Sequence, residues 1–138
     1  MKKIIITGVV ALFSVGLISA QEMKNLPKNS QKAIKSHFSA LTVDKINIDE
    51  DEMDEMYQVK FTDGTIIEFN KKGKPTEVSS EKEVPEALLP RKIKLFLNNK
   101  YEGAKVTEWE FDDNKHEINL EDGTELIFNK KGKFVSKE

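Results

Sequence analysis

Carboxylates are the residues here whose type and spacing invite chemistry. Glu108 and Glu110, then Glu117, Asn119 and Glu121, then Glu125 stand at alternate positions of three short runs. Alternate residues of a strand share one face, so these side chains gather on one surface. Such a surface is a candidate docking site for a basic partner or for cations. The plainer reading is a solvated face whose charge resists aggregation. A second acidic stretch is denser, with six acids among the seven residues from Asp49 to Glu55. Calcium takes several hard oxygen ligands, which makes Asp49, Asp51, Asp54 and Glu55 candidate ligands. The EF-hand loop pattern is absent, lacking its central glycine and flanking helices, so a solvated acidic hairpin tip is the competing reading.

Other chemistries lack their parts. His37 and His116 are the two histidines, and a catalytic metal site typically draws on three protein ligands. A serine nucleophile needs an activating base, and no serine here sits in an elbow motif. Paired glutamates serve glycosidases, but they need a pocket that so short a chain is not expected to build. Gly73 and Gly132 read as turn glycines, not as a phosphate loop. The chain has no cysteine, which removes disulfides, thiol nucleophiles, thiolate zinc sites and a lipoprotein anchor. Trp109 and Tyr101 are the largest aromatic anchors, and the alternation phase assigns Trp109 to the core.

The elements that position these residues begin after a distinct leader. Lys2 and Lys3 precede an uncharged run, Ile4 to Ile18, and Ser19-Ala20 offers a small-residue cleavage point. This is the layout of a secretory signal peptide, and the apolar run is short for a membrane span. Cleavage after Ala20 is expected, leaving no span. It removes two of the 22 basic residues and none of the 24 acidic ones, so the mature part is more acidic than the whole-chain net charge of −2. Nucleic acid, which calls for a basic face, is not an expected partner.

The remainder reads as a duplication. Phe69-Asn70-Lys71-Lys72-Gly73-Lys74 recurs identically as Phe128-Asn129-Lys130-Lys131-Gly132-Lys133, and Asp63-Gly64-Thr65 recurs as Asp122-Gly123-Thr124. Leu26-Pro27 matches Leu89-Pro90 at a longer offset, which places an insertion within the acidic stretch between Ile48 and Tyr57. Repeat 1 is assigned to residues 21–80 and repeat 2 to residues 81–138. Each opens with a proline at the first helical position and a helix reaching about Leu41 or Tyr101. Strands follow near Val43–Ile48, Met56–Thr62, Thr65–Asn70 and Pro75–Val78, and near Val106–Phe111, Lys115–Glu121, Thr124–Asn129 and Phe134–Val135. Asp63-Gly64 and Asp122-Gly123 are expected as two-residue hairpin loops. Glu77–Glu86 reads as the linker. Alternation sends Ile46, Ile48, Tyr57, Val59, Phe61, Ile67, Phe69, Trp109, Phe111, Ile118, Leu120, Leu126 and Phe128 to one face. The fold class is α+β: two tandem helix-plus-antiparallel-hairpin repeats, with the helices packed on one face of one sheet or of two sheets side by side.

Leu-Pro, a helix ending in Phe or Tyr, an alternating strand, Asp-Gly-Thr and Phe-Asn-Lys-Lys-Gly-Lys together resemble the PepSY-like family of exported proteins, which is similar to the beta-lactamase inhibitor protein in fold. The resemblance spans residues 26–138. It implies a curved antiparallel sheet, a periplasmic location in Gram-negative cells, and an inhibitor-like or calcium-regulated role without family-wide catalytic residues. The expected function is therefore a non-enzymatic periplasmic module that binds an envelope protein or peptide. The alternative is a calcium-responsive protein using Asp49–Glu55. A third reading is inhibition of an envelope peptidase by a protruding hairpin.

Overall fold

The computed structural model describes residues 20–50 and 55–138. The predicted signal peptide, apart from Ala20, lies outside the described residues, as do Asp51 and Asp54 of the acidic stretch.

Helix α1 (Ala20–Lys24) leads into α2 (Lys28–His37), and α3 spans Arg91–Lys100. Pro27 and Pro90 are the N-cap residues of α2 and α3 rather than their first helical residues, with extended backbone at φ −52° and −56°. Their carbonyls accept the first helical bonds, from Gln31 N–H at 3.1 Å and Lys94 N–H at 3.0 Å. A proline there leaves no N–H of its own to satisfy. Helix α2 stops at His37, short of Leu41. Phe38 leaves the helical region at φ −127° while its N–H still bonds Ile34, and its ring stacks on Phe61 at 5.1 Å. Tertiary packing ends the helix before its propensity does.

The strands are β1 (Val43–Glu50), β2 (Glu55–Phe61), β3 (Ile66–Phe69), β4 (Pro75–Ser79), β5 (Val106–Asp112), β6 (Lys115–Leu120), β7 (Glu125–Asn129) and β8 (Phe134–Lys137). They form one antiparallel sheet in chain order. Of the two sheet arrangements left open by sequence, the single sheet is found, closed by β4–β5 pairing of Glu77 with Glu110, Val78 with Trp109 and Ser79 with Glu108. Glu77 is thus a mid-sheet residue and not part of a linker. The connection that remains is shorter and contains a 3₁₀ turn, Glu86–Leu88, before Pro90.

One apolar row crosses seven strands: Ile46, Val59, Ile67, Val78, Trp109, Ile118 and Leu126 stand directly opposite one another in turn. Ile34, Phe38, Ile93 and Leu97 from the helical segments join these side chains in a single core cluster. Burying each such side chain contributes about 1.5–3 kcal/mol. Ile48, expected in this core, is 41% exposed. It lies near the end of β1, which among the described residues has a neighbouring strand on one side only.

The loops depart from the two-residue expectation at Asp-Gly. Gly64 is left-handed at φ +91°, and Asp63 is not in that region. Gly64 N–H bonds Phe61 O, Phe61 N–H bonds Thr65 O, and Asp63 Oδ1 accepts from Thr65 N–H. This is a three-residue loop with a glycine bulge, and Leu120–Thr124 repeats it. The two-residue turn with both positions left-handed falls at Asp113 and Asn114, at φ +48° and +59°.

Candidate functional site: the polar face of the sheet

The strand register that builds the core also aligns the other face. Asn47, Gln58, Glu68, Glu77, Glu110, Glu117, Ile127 and Ser136 stand opposite one another in turn across all eight strands. Four consecutive members, on β3 to β6, are glutamates. Directly opposed side chains have Cβ atoms about 4.5–5.5 Å apart, and like charges placed so destabilise a sheet.

Polar neighbours hold one end of this row. Asn47 Nδ2 donates to Gln58 Oε1 at 3.2 Å, and Gln58 Nε2 donates to Glu68 Oε1 at 2.9 Å. In the middle the carboxyls crowd one another. Burial, followed by the charges of Glu68, Glu110 and Glu108, pushes Glu77 from its usual 4.5 up to about 8. Burial, a hydrogen bond to Glu125 and the charges of Glu125, Glu110 and Glu108 push Glu117 up to about 7. A hydrogen bond between two carboxyls requires a proton on one of them, so the row stores protons near neutral pH. Glu125 Oε1 is buried with no hydrogen-bond partner.

A parallel row runs Lys45, Lys60, Ile66, Ser79, Glu108, Asn119 and Glu125. Asn119 Nδ2 donates to Glu108 Oε2 at 3.1 Å. Charge on the face therefore changes from basic at β1–β2 to acidic at β5–β7. At the acidic end a groove of about 800 Å³ runs along β5 to β8. Glu110, Asp112, Asp113, Glu117 and Glu138 line it alongside Lys115, with apolar Ile127 and Val135 among its walls.

Of the residues singled out by sequence, Glu108, Glu110, Glu117, Asn119 and Glu125 come together on this face. Glu121 lies beyond the end of β6, exposed, its N–H bonded to Lys105 O. Asp49 is exposed on β1 opposite Met56, and Glu55 pairs with Glu50 at the other side of the same hairpin. Sequence reasoning missed Glu77 and did not single out Glu68. Val78 carried the available signal: once it is placed in the core row, Glu77 must face the other way. Ile127 was also missed. It occupies the position that Glu68 holds in the first half, so the second half has an isoleucine there and an acid at the Ile66 position.

His116 is buried, and both of its ring nitrogens have partners. Trp109 Nε1–H donates to Nδ1 at 3.1 Å, and Nε2 lies 3.3 Å from Lys130 O. His37 is exposed on α2. Among the described residues no group of three or more His, Cys, Asp or Glu side chains is placed to hold a metal ion. No described helix is long and apolar enough to cross a membrane.

The comparisons with known proteins agree with this architecture. Residues 55–136, from β2 into β8, match the family model described as "Putative beta-lactamase-inhibitor-like, PepSY-like". A "putative periplasmic protein of unknown function" from Bacteroides vulgatus is 32% identical, with 84% of this chain and 94% of that one covered at a TM-score of 0.77. A second, a "putative periplasmic protein from DUF2874 family" of Bacteroides vulgatus, is 34% identical, with 84% and 92% covered at 0.79. A "putative calcium-regulated periplasmic protein" of Bacteroides thetaiotaomicron is 33% identical, with 84% and 92% covered at 0.77. No curated protein matches the chain. The protein is periplasmic, and the chain belongs to the PepSY-like family.

Proposed function

We propose that this protein is a non-enzymatic periplasmic binding module, inhibitor-like in manner, whose polar sheet face engages a protein or peptide partner. Glu108, Glu110, Glu117, Asn119 and Glu125 form the contact surface, with Glu68 and Glu77 extending it. The observation that carries this reading is the row of four directly opposed glutamates. A face selected only for solubility intersperses its charges, whereas this one keeps like charges in line at a cost to stability. A partner bearing Lys or Arg would relieve that cost on binding, and charge of this kind sets on-rate and salt sensitivity more than raw affinity. In this reading the mature chain begins after Ala20, and residues 21–80 and 81–138 are tandem copies of one unit.

The test is partner capture from envelope extract with immobilised mature protein, compared with a Glu110→Lys/Glu117→Lys variant. Reversal relieves the repulsion, so the variant folds, and circular dichroism checks that it does. Proteins retained by the wild type should be lost by the variant and released by salt. Equal capture by both would sink the reading.

A second reading is calcium response at Asp49–Glu55. It draws on the acidic composition of that stretch and on the calcium-regulated description of the Bacteroides thetaiotaomicron neighbour. Calorimetry with calcium, beside an Asp51→Asn/Asp54→Asn/Glu55→Gln variant, decides it. Saturable heat lost in the variant supports calcium, and no heat at millimolar calcium retires it.

A further inference from the structure

We infer that the open edge at β8 takes up an extended peptide of alternating cationic and apolar side chains, added to the sheet as a ninth strand. The inference rests on the binding role of the polar face and names the partner's chemistry and its place.

The backbone at this edge is available. Glu125 N–H bonds Glu138 O at 3.1 Å, and Glu138 N–H bonds Glu125 O at 2.8 Å. In an antiparallel ladder the residue next to such a doubly bonded pair points its N–H and C=O the other way. Lys137 therefore turns both groups outward, and among the described residues no strand meets them. Peptides that extend a sheet use such groups for affinity and alternate side-chain pockets for specificity.

The two faces of this edge differ, and that difference fixes the occupant. On the polar side Ser136 and Glu138 border the groove that holds Glu110, Glu117 and Ile127. Strands lie about 4.8 Å apart, so a lysine or arginine on the added strand comes beside the carboxylate of Glu138 and within reach of Glu125, which pairs with Glu138 from β7. On the core side Phe134 is 39% exposed although its ring stacks on Phe96 at 4.7 Å. Val135, in the irregular step of β8, borders the groove on the polar side and is 59% exposed. An apolar side chain of the added strand covers Phe134. Alternation of charge and apolarity in the peptide is the pattern that satisfies both sides.

The probe is a short fluorescein-labelled peptide alternating lysine and valine, with a glutamate–valine peptide as control, followed by fluorescence anisotropy. The lysine peptide should bind saturably and the glutamate peptide should not. Lys137→Pro removes the outward N–H while leaving the β7–β8 bonds of Glu138 in place, and proline is tolerated at sheet edges. It should weaken binding by about tenfold or more, although the substitution deletes a positive charge and so favours a cationic peptide electrostatically. Independently of any protein variant, lysine–valine peptides N-methylated at alternate residues should differ: one phase of methylation blocks binding and the other spares it. Equal binding of Lys137→Pro and of both methylated peptides would overturn the strand addition while leaving the polar-face reading standing. No saturable binding at millimolar peptide would also overturn it, as would light scattering that shows a second copy of the chain already holding this edge. The Glu110→Lys/Glu117→Lys capture experiment judges the polar-face reading separately.

Discussion

Trp109 donates its indole N–H to Nδ1 of His116 at 3.1 Å, from β5 to β6 inside the core. That bond fixes the imidazole tautomer. With Nδ1 accepting, the neutral ring carries its proton on Nε2 and directs it at Lys130 O. A second proton would set N–H against N–H.

His116 should therefore resist protonation. Burial lowers its pKa from 6.5, Lys74 adds to the lowering, and the Lys130 carbonyl opposes it. Trp109 and Phe111, which contact its ring, and Phe128, opposite it on β7, carry no charge. A group depressed in the folded state binds more protons when unfolded, so its stabilisation is complete above 6.5 and is lost as pH falls through the folded value. The chain has one tryptophan, so intrinsic emission reports this pair. Emission should stay constant from pH 8 to 6.5 and change with a midpoint below 6.5, and His116→Gln should abolish that transition. A midpoint at or above 6.5 would contradict the geometry.

The glutamate row carries the opposite sign. Glu77 and Glu117 are raised from 4.5 to about 8 and about 7, so the folded state binds more protons than the unfolded one. Their stabilisation is present below 4.5 and is lost as pH rises through the folded values. Above pH 7 His116 is already neutral, so melting between pH 7 and 8.5 isolates the carboxyls. Tm should fall across that range. Glu77→Gln keeps the shape and removes the ionisation, so it should flatten the slope and raise Tm at pH 8.5. An unchanged slope would mean that Glu77 does not hold the proton.

The same register explains what was legible in the sequence. Alternation placed Val59, Phe61, Ile67, Phe69, Ile118, Leu126 and Phe128 in the core, and all are buried, because each of these strands repeats a large apolar side chain at alternate positions. The carboxylates of β5 to β7 were legible for the same reason. Glu77 was not, because β4 carries a single buried side chain, Val78, and so shows no alternation of its own. Only its pairing with β5, a contact distant in sequence, reveals it as the centre of the row. Ile48 failed in the other direction: its phase was read correctly, but an edge position does not ensure cover. The Asp-Gly loops were legible as turns, while their length depended on hydrogen bonds that no dipeptide encodes.

Identical hexapeptides should behave identically where they bond only to themselves. Asn70 Oδ1 accepts from the N–H groups of Lys72 and Lys74, each at 3.0 Å, and Asn129 Oδ1 does the same for Lys131 and Lys133. Replacing either asparagine by alanine forfeits two bonds at an exposed turn, where water compensates in part. Each change should cost about 1–2 kcal/mol, and the costs of Asn70→Ala and Asn129→Ala should agree within the error of urea melts. Aspartate keeps the acceptor, so Asn129→Asp should retain most of the stability.

The glycines of the same hexapeptides should not behave identically, because their surroundings differ. Both are left-handed, at φ +78° for Gly73 and +83° for Gly132. A side chain in that region costs about 1–3 kcal/mol at either site. A Cβ on Gly73 would meet Pro27 Cβ at 2.8 Å and Ser30 N and Oγ at 2.9 Å, at the start of α2. A Cβ on Gly132 would meet Lys92 Cβ at 3.1 Å and next Ile93 Cγ1 at 3.7 Å. All three contacts at Gly73 are shorter than 3.0 Å and force a shift at the head of α2, whereas Gly132 has one contact that needs a few tenths of an ångström, so Gly73→Ala adds the larger overpacking cost, about 1–3 kcal/mol. Urea denaturation should rank Gly73→Ala well below Gly132→Ala in stability. Equal losses would mean that φ alone sets the cost and that α2 shifts freely against the β3–β4 turn. In that case α2 would also fail to hold the turn in place, and Gly73→Ala should shift the amide signals of residues 70–74 without broadening those of α2.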